Sequence, residues 1–272
     1  HIVGPGGKGS NQAIAAAKLN GKVNFITKIG NDKNGEMALN LYKSLGMDIA
    51  SIIQDKNHST GVAGIMVNEK TGDNAINIIP GAAGTLTNDD IEKNLNFISN
   101  TDIFLTQLET PYDVTKYALK KAKENKLTTI LNPAPACQIN DDDFKLIDFF
   151  TPNETEAEFY LNKKIETEKD IKNASEEFLK KGIKNIVITL GEKGCYFAND
   201  KENFFMNAFK LKEPVVDTTG AGDAFNGALA VGLSKDLDIK EVLTFANKVG
   251  AISTTKQGAA ASMPSMEDLN NY

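Results

Sequence analysis

The stretch DTTGAGDAFNGALA, residues 217–230, places three small residues directly in front of an aspartate and a helical pattern. Phe225, Ala228 and Leu229 recur at the three- and four-residue spacing of one buried helix face. The segment EPVV before the stretch predicts a strand, so the chain passes from a strand through a tight turn into a helix. The pattern therefore places residues 220–222 at a helix N-terminus.

A helix N-terminus without bulky side chains is suited to binding an anion. Its first backbone N–H groups have no partners within the helix, and the helix dipole favours negative charge there. Gly220, Ala221 and Gly222 would let a phosphate approach these groups closely. Asp223 would stand beside the phosphate, where a carboxylate can orient a hydroxyl group and accept its proton. The alternative is that Asp223 only favours a helix start, but that role does not need a Gly-Ala-Gly turn.

The rest of the chain alternates apolar, β-branched runs with amphipathic helical runs. This alternation predicts an α/β fold with a doubly wound, mostly parallel sheet sandwiched by helices. The predicted strands lie within residues 22–30, 101–109, 127–135, 147–154 and 183–191, and the predicted helices within residues 35–45, 88–99, 111–125, 154–161 and 168–181. Several strands end in polar, Gly-marked or Pro-marked turns, which predicts one shared cleft at their carboxyl edge.

Residues 60–80 depart from this alternation. They have the pattern of two strands joined by a glycine-containing turn at residues 70–73, with no helix between them. A hairpin inserted in a doubly wound fold predicts a small separate β-sheet, which we interpret as a lid.

Composition excludes several classes of function. The 272-residue chain has a formal net charge of −6. This charge does not indicate the basic surface that nucleic acid binding requires, and we expect no nucleic acid partner. It contains neither an apolar run of membrane-spanning length nor a signal segment, and we expect a cytoplasmic protein with no membrane partner. Its two histidines and two cysteines lack metal-site spacing. The basic residues are all lysine, so a phosphate would be bound by lysine, backbone N–H groups and metal.

A second glycine-rich stretch, GPGGKGSNQAIAAA, occupies residues 4–17. Gly4, Gly6 and Gly9 match the G-x-G-x-x-G pattern of dinucleotide folds, but that signal is weak without a full strand before it. The stretch also carries Lys8 and Asn11 at the start of a predicted helix, which suits recognition of a polar small molecule. A helix-entry turn with a solvated lysine is the alternative.

Two further turns follow predicted strands. In PNETEAE (152–158), Asn153 could cap a helix with Glu156 at its third position, or the pair could hold hydrated Mg²⁺ beside phosphates. The residues alone leave these two interpretations equal. The stretch TLGEKG (189–194) is a strand followed by a glycine turn.

Taken together, these motifs resemble the PfkB family of carbohydrate kinases. The resemblance covers essentially the whole chain, in the segments GGKGSNQA, QLETP, LNPAPA, TPNETEAE, VITLGEKG, DTTGAGDAFNGALA and TTKQGAAASMP. The GAGD and GGKG segments are typical of the family, and the remaining segments resemble its ribokinase branch. The resemblance implies a ribokinase-like fold and transfer of phosphate from ATP to the primary 5-hydroxyl of a pentose, D-ribose giving D-ribose 5-phosphate.

The resemblance also implies roles for individual residues. Asp223 would be the catalytic base, beside an anion hole formed by Gly220, Ala221 and Gly222. The sugar would contact Gly7, Lys8, Gly9, Asn11 and Glu109. ATP would contact Asn153, Thr189, Gly191, Lys193, Gly194, Gly222, Asp223 and Asn247, with Glu156 serving Mg²⁺. Asp223 would contact the sugar as well. A monovalent cation, K⁺, would be bound by Asp217, Thr219, Ser253, Lys256, Gly258 and Ser262, mostly through backbone carbonyls.

The family pattern also predicts domains and assembly. Residues 5–58 and 81–272 would form the α/β core that binds nucleotide and sugar, and residues 1–4 and 59–80 would belong to the lid. The lid sheet would join two copies into a homodimer. Family members begin with a strand bearing Asn-x-Asp, and we expect the printed sequence to omit that segment.

Departures from the family pattern leave alternatives open. Residues 81–83 read Gly-Ala-Ala where ribokinases often have Gly-Ala-Asn, so another sugar or a nucleoside is an alternative substrate. Two alternatives come from other classes of protein. The glycines of residues 4–9 would suit an NAD(P) oxidoreductase, and the lack of the family's opening strand in the printed sequence would suit an inactive ligand-binding regulator.

Overall fold

In the computed structural model, which describes residues 4–67 and 74–272, helices and strands alternate along most of the chain. The helices are α1 (Lys8–Lys18), α2 (Lys33–Ser44), α3 (Asn88–Lys93), α4 (Leu95–Ser99), α5 (Tyr112–Glu124), α6 (Glu154–Leu161), α7 (Glu168–Lys180), α8 (Ala221–Leu233), α9 (Ile239–Ser253) and α10 (Met266–Asn270). The strands are β1 (Thr27–Gly30), β2 (Ile52–Asp55), β3 (Thr60–Val67), β4 (Asn74–Gly81), β5 (Ile103–Thr106), β6 (Thr128–Leu131), β7 (Phe149–Phe150), β8 (Asn185–Thr189), β9 (Cys195–Ala198) and β10 (Asn203–Met206).

The central sheet has six strands in the order β10-β9-β8-β7-β6-β5. Strands β5 to β8 pair in parallel, whereas β9 and β10 continue the sheet as an antiparallel edge. The predicted α/β fold with a mostly parallel sheet is confirmed. The antiparallel edge was not predicted: the glycine turn at residues 189–194 was interpreted as a turn after a strand, but its two short following strands, of four residues each, were not assigned.

Alternate side chains of the central strands enter two different hydrophobic cores. Ile130 of β6 and Phe149 of β7 pack with α1, α8 and α9 on one face, whereas their neighbours Leu131 and Phe150 pack with α6 and α7 on the other. Successive side chains of a strand point to opposite faces, so every central strand must be apolar at consecutive positions. This explains why the strand segments of the sequence are continuous apolar runs. It also explains why helices cover both faces of the sheet, as predicted.

Two predicted elements were wrong in their bounds. The strand predicted within residues 22–30 is limited to β1, which pairs in parallel with β2 rather than with a strand of the central sheet. The helix predicted over residues 88–99 is two short helices, because the Asn94 side chain donates from Nδ2 to the Asp90 carbonyl at 2.8 Å. Asparagine side chains compete with helix hydrogen bonds in this way.

The predicted hairpin forms an antiparallel pair, β3 with β4, separate from the central sheet. Its base is attached to the core by Thr60, whose backbone N–H and hydroxyl both donate to the Asp32 carboxylate at 2.7 Å. Gly81 closes the base with φ 56°, and a Cβ there would lie 2.4 Å from the Ser59 carbonyl oxygen, so only glycine fits. The turn predicted at residues 70–73 lies outside the described residues.

Candidate active site

The cleft lies where the parallel strands end. Glu109 follows β5, Asn132 follows β6, Asn153 follows β7 and Gly191 follows β8. Carboxyl ends of adjacent parallel strands share one edge of the sheet, and the bonds described below join residues from these turns to α1 and α8.

Helix α8 begins with an open N-terminus at this edge. Its N-cap, Gly220, has a left-handed backbone (φ 81°) and provides no capping side chain. The N–H of Ala221 donates to the Thr218 carbonyl at 3.2 Å, so the next N–H groups, those of Gly222 and Asp223, are the first-turn donors left for a ligand. At Gly222 an added Cβ would have no heavy atom of the described residues within 4 Å. The backbone of Gly222 is therefore open to the approach of an anion.

The Asp223 side chain is buried one residue further along α8, and two amides hold its carboxylate. Asn11 donates from Nδ2 to Oδ2 at 2.8 Å, and Gln12 donates from Nε2 to Oδ1 at 2.9 Å. Burial raises the pKa of Asp223, and the hydrogen bonds from Asn11 and Gln12 oppose that rise. A carboxylate with a raised pKa is a stronger base than an exposed one, which suits it to accept a proton.

Lys8 lies among three carboxylates at the centre of the cleft. Its charge lowers the pKa values of Asp223, Glu109 and Glu156, whereas burial raises the pKa of each of them by more. The Lys8 backbone N–H, the first of α1, also donates to Glu109 Oε2 at 2.7 Å. Four residues that are far apart in the sequence therefore share one electrostatic environment around the space in front of α8.

The close crossing of α1 and α8 creates this arrangement. A Cβ on Gly227 would lie 2.7 Å from both the Ala15 Cβ and the Gln12 carbonyl oxygen, so glycine is required where the two helices touch. With the backbones this near, Asn11 and Gln12 of α1 reach across to Asp223, one turn earlier on α8. The predicted sugar-binding stretch and the predicted anion hole thus form one site.

Asn11 also presents an unused acceptor. Its side chain is 5% exposed, and its Oδ1 is buried with no hydrogen-bond partner among the described residues. A buried acceptor without a donor is costly, and a hydroxyl of a bound ligand would satisfy it. Gly7 and Gly9 flank the same turn, and Gly9 faces Gln107, whose Oε1 would lie 2.9 Å from an added Cβ.

A chain of buried amides behind Asp223 was not identified from the sequence. Gln12 Nε2 also donates to Asn132 Oδ1 at 3.0 Å, and Asn132 Nδ2 donates to the Thr151 carbonyl at 3.1 Å. Gln107 Nε2 donates in turn to Gln12 Oε1 at 2.5 Å. The sequence held a usable signal, because Gln107, Asn132 and Thr151 each follow a strand of the central sheet and such residues meet at its carboxyl edge.

Asn153 and Glu156 form the capping box that was one of their two interpretations. Glu156 N donates to Asn153 Oδ1 at 2.8 Å, and Asn153 N donates to Glu156 Oε2 at 2.9 Å. The same pair lies in the cleft, since Glu156 responds to the charges of Lys8 and Asp223. Asn153 forms a parallel bridge with Thr189. The capping role is therefore present, and it leaves the second carboxylate oxygen of Glu156 free of that box.

The turn after β8 carries the other predicted nucleotide contacts. Gly191 and Gly194 have φ values of 56° and 99°, and Lys193 between them is exposed. A Cβ on Gly194 would lie 2.1 Å from the Met206 carbonyl oxygen, so the turn packs tightly against the end of β10. Asn247 of α9 approaches the same region, where its Nδ2 contacts Cys195 Sγ at 3.4 Å.

The residues predicted to bind a monovalent cation surround the turn before α8. Asp217 Oδ1 accepts from the Thr219 N–H and Oδ2 from the Gly258 N–H, both at 2.9 Å. Ser253 and Ser262 are buried at the two ends of the later segment that contains Gly258, with hydroxyls bonded to the carbonyls of Gly250 and Ala259. The Lys256 side chain instead pairs with Asp268 at 2.8 Å, so only its backbone could serve a cation.

Comparisons with known proteins show the family of the chain. The family described as "pfkB family carbohydrate kinase" matches residues 3–266. A ribokinase of Staphylococcus aureus is 40% identical, over 97% of this chain and 86% of that protein. A deoxyribokinase of Salmonella typhi is 35% identical, over 99% of this chain and 88% of its own. The structure of an Arabidopsis thaliana ribokinase complexed with ribose and ATP superposes with a TM-score of 0.90 at 29% identity, covering 98% of this chain and 86% of that one.

The fold and the cleft define an ATP-dependent phosphotransferase that acts on an alcohol group. More narrowly, the chain belongs to the pfkB family of carbohydrate kinases. The alternative of an NAD(P) oxidoreductase, based on Gly4, Gly6 and Gly9, is wrong, because the carbohydrate kinase family matches residues 3–266, which include this stretch. Among the described residues, no helix combines the length and apolar character needed to cross a bilayer.

Proposed function

We propose that this protein transfers the terminal phosphoryl group of ATP to the 5-hydroxyl of D-ribose, giving D-ribose 5-phosphate. One observation carries the proposal: Asp223 is buried in the first turn of α8, beside N–H groups that no capping side chain occupies. Ribokinases from bacteria and a plant are similar to nearly the whole chain, which supports ribose as the acceptor.

Asp223 serves as the base in this scheme. It accepts the proton of the sugar hydroxyl while the hydroxyl oxygen attacks the terminal phosphorus in line with the leaving ADP. At the end of the turn Gly220–Gly222, the N–H groups of Gly222 and Asp223 stabilise the charge on the transferring phosphoryl group. Because these donors belong to the backbone, they are already oriented before the substrate binds.

The sugar is held on the α1 side of the cleft. Asn11 Oδ1 and the Glu109 carboxylate accept from its hydroxyl groups, and Lys8 donates to its oxygens. Gly7 and Gly9 keep the backbone accessible there. This assignment gives the unsatisfied Asn11 acceptor a donor and uses a carboxylate whose pKa burial has raised.

ATP lies along the turns after β7 and β8, with Asn153, Thr189, Gly191, Lys193, Gly194 and Asn247 in contact. The free oxygen of Glu156 suits Mg²⁺, which commonly takes one or two protein carboxylates and completes its shell with water and phosphate. No three His, Cys, Asp or Glu side chains converge on a metal site within residues 4–67 and 74–272. Glu156 would supply a protein ligand, and the bound metal would neutralise phosphate charge.

A potassium ion is proposed for the loop that precedes α8. Asp217, Thr219, Ser253, Lys256, Gly258 and Ser262 would bind it, mainly through carbonyl oxygens. Each Asp217 oxygen accepts one N–H bond and keeps a second lone pair, so the carboxylate can still serve the ion. Binding there would order the turn that positions Gly220.

The hairpin of residues 59–80 is proposed as a lid over the sugar and as the contact with a second copy of the chain, with residues 5–58 and 81–272 as the core. Val62, Ile78 and Ile79 are 43%, 48% and 57% exposed on it. Apolar side chains this exposed are suited to burial against a partner, and a second copy offers the same surface. The activity also fits a cytoplasmic location, where ATP is available.

A coupled assay of ADP release tests the proposal. Purified protein is offered D-ribose, 2-deoxy-D-ribose, other pentoses, hexoses and adenosine, with D223N as the control for contaminating kinases. The highest kcat/KM is expected for D-ribose. The relative from Salmonella typhi favours 2-deoxy-D-ribose as a second candidate, and a higher kcat/KM for that sugar would replace ribose. Absence of turnover with every acceptor would contradict the kinase activity itself.

The same assay tests the cation. Rates are compared in potassium, sodium and choline chloride at equal ionic strength. A higher rate in potassium is expected, because the ion would order the loop before α8. Equal rates in the three salts would reject the cation site and leave the kinase activity untouched.

A further inference from the structure

The side chain of Gln12 is buried in the cleft with three hydrogen bonds, and the mechanism described above does not use it. It is 1% exposed. Its Nε2 donates both hydrogens, one to Asp223 Oδ1 at 2.9 Å and one to Asn132 Oδ1 at 3.0 Å. Its Oε1 accepts from Gln107 Nε2 at 2.5 Å.

The orientation of this amide is fixed independently from two ends. At one end, the Thr151 carbonyl can only accept, so Asn132 must turn Nδ2 toward it and Oδ1 toward Gln12. At the other end, an ionised Asp223 can also only accept. Both ends require the nitrogen of Gln12 in the same place. Turning the amide over would set oxygen against oxygen at two buried contacts at once.

Asn11, which holds the other oxygen of Asp223, is not constrained in this way. Its Nδ2 makes the bond to Oδ2 at 2.8 Å, and its Oδ1 has no partner among the described residues. Asn11 can therefore reverse its amide when Oδ2 becomes protonated: its Oδ1 then accepts from Oδ2, and its Nδ2 donates to the sugar hydroxyl that Oδ1 had accepted from. Gln12 cannot do the same for Oδ1 without breaking its bonds to Asn132 and Gln107. The two oxygens of the carboxylate are thus unequal.

We propose that Gln12 is a positioning residue that locks Oδ1 of Asp223 as a permanent acceptor, so that Oδ2 alone receives the proton of the substrate hydroxyl. The inference rests on the proposed role of Asp223 as the base. In the step, the sugar O–H bond breaks, its proton moves to Oδ2, and the oxygen bonds to the terminal phosphorus as the bond to ADP breaks. Gln12 is itself held by Asn132, which donates to the backbone carbonyl of Thr151, directly after β7.

Other charges around Asp223 act on the same ionisation. Lys8 of α1 favours the carboxylate, whereas Glu109 after β5 and Glu156 of α6 are neighbouring carboxyl groups in the same cleft. These groups are unchanged by substitutions at Gln12, so a comparison of variant with wild type isolates the contribution of the amide.

Gln12→Met is the main test, because methionine matches the length of glutamine but donates no hydrogen bond. We expect kcat to fall about 10–100-fold from loss of orientation, with KM for sugar and ATP changed by less than about threefold, since ground-state contacts persist. The acid limb of the kcat–pH profile should move up by about one pH unit, the size expected when a carboxylate loses one hydrogen bond.

Two further variants keep the test decisive. Asn132→Ala removes the anchor but leaves the bond from Gln12 to Asp223, and should shift the acid limb in the same direction by less. Asn94→Leu is the matched control, since Asn94 is a buried amide (8% exposed) that bonds the Asp90 carbonyl away from the cleft. It should lower thermal stability and leave kcat and the pH profile unchanged. ATP-induced thermal stabilisation confirms that each variant is folded.

The variants test the role of Gln12 and the role of Asp223 separately. If Gln12→Met and Asn132→Ala behave like Asn94→Leu, with lower stability but unchanged kcat and acid limb, Gln12 is only a packing residue and the proposal fails. If Asp223→Asn retains wild-type turnover, the role of Asp223 as base fails instead, whatever Gln12→Met does.

Discussion

Asn11 Nδ2 donates to Asp223 Oδ2 at 2.8 Å, a bond between residues 212 positions apart in the chain. It joins the first turn of α1 to the first turn of α8. Both helices begin at the cleft, so their N-terminal N–H groups and the positive ends of their dipoles point into the same space. An anionic group bound there would be attracted by two helix N-termini and by Lys8, beside the carboxylates of Asp223, Glu109 and Glu156.

Asp223→Asn should remove activity and keep the fold. Asparagine has nearly the shape of aspartate but cannot accept the hydroxyl proton, and we expect kcat to fall by about 10²–10⁴. The side chain can still be accommodated, because Gln12 can donate to its oxygen and Asn11 can reverse to accept from its nitrogen. Steady-state rates with D-ribose and ATP measure the effect. Asp148→Asn, at a buried aspartate away from the cleft, should keep its activity.

The same Asp223→Asn change should also alter stability with pH. Burial raises the pKa of Asp223 above its unfolded value, so between these two values the folded protein binds more protons than the unfolded chain. The free energy of unfolding then falls as pH rises through this interval. Asparagine does not titrate, so the variant does not lose stability in this way. Its Tm at pH 7 should be higher than that of wild type, and the difference in Tm should disappear at acidic pH.

Asp148 provides a control of opposite sign for that experiment. Burial alone would raise its pKa, but hydrogen bonds from Lys123, Lys184 and Thr129 outweigh burial, and the pKa is lowered. Its stabilising contribution is present above the unfolded pKa and is lost as pH falls through the folded one. Asp148→Asn should therefore be less stable than wild type at pH 7. A Tm below wild type for Asp223→Asn at that pH would contradict the raised pKa of Asp223.

Helices, strands and turns could be predicted from the sequence wherever residues within the same element determine its conformation. The helix at residues 154–161, the hairpin and the glycine turn before α8 each depend on neighbouring residues, namely a capping pair, period-two strands and small residues ahead of an amphipathic run. The division of residues 88–99 into two helices depends on one side chain, Asn94, bonding the backbone. Residue patterns do not show which asparagine makes that bond.

The site residues at helix starts and strand ends could be predicted from the sequence, whereas the amides that connect them could not. Asp223, Lys8 and Glu109 stood at a helix start or a strand end, where chemistry and position coincide. Gln12, Gln107 and Asn132 are amides, which the sequence offers in many places, and their importance comes from mutual contact across 120 residues or fewer of chain. Such contact requires the register of the sheet and the crossing of α1 with α8.

Two glycines of α8 should respond oppositely to alanine. A Cβ on Gly227 would lie 2.7 Å from Ala15 Cβ and the Gln12 carbonyl, and Gly227→Ala should lower the free energy of unfolding by about 1–3 kcal/mol through overpacking. A Cβ on Gly222 would meet open space, and Gly222→Ala should raise the same free energy by about 0.4–1 kcal/mol.

Activity should separate these glycines further. The Cβ of Gly222→Ala would project into open space next to the Gly222 N–H, and we expect kcat to fall about 10²-fold as the phosphoryl group is held away from the N–H donors. Denaturant unfolding and steady-state rates measure both effects. A fully active Gly222→Ala enzyme would show that the phosphoryl group binds elsewhere.

Glu156→Gln distinguishes metal binding from helix capping. The glutamine amide oxygen can still accept from the Asn153 N–H, as in other capping boxes, so Tm should stay within a few degrees of wild type. If Glu156 serves Mg²⁺, loss of its charge should raise the Mg²⁺ concentration for half-maximal rate by about 10–100-fold, as for lost metal-site partners. The chain offers a matched control in Glu241, which fills the same position of the Asp238 capping box on α9. Glu241→Gln should leave the Mg²⁺ dependence unchanged, and an equally unchanged dependence in Glu156→Gln would restrict Glu156 to capping α6.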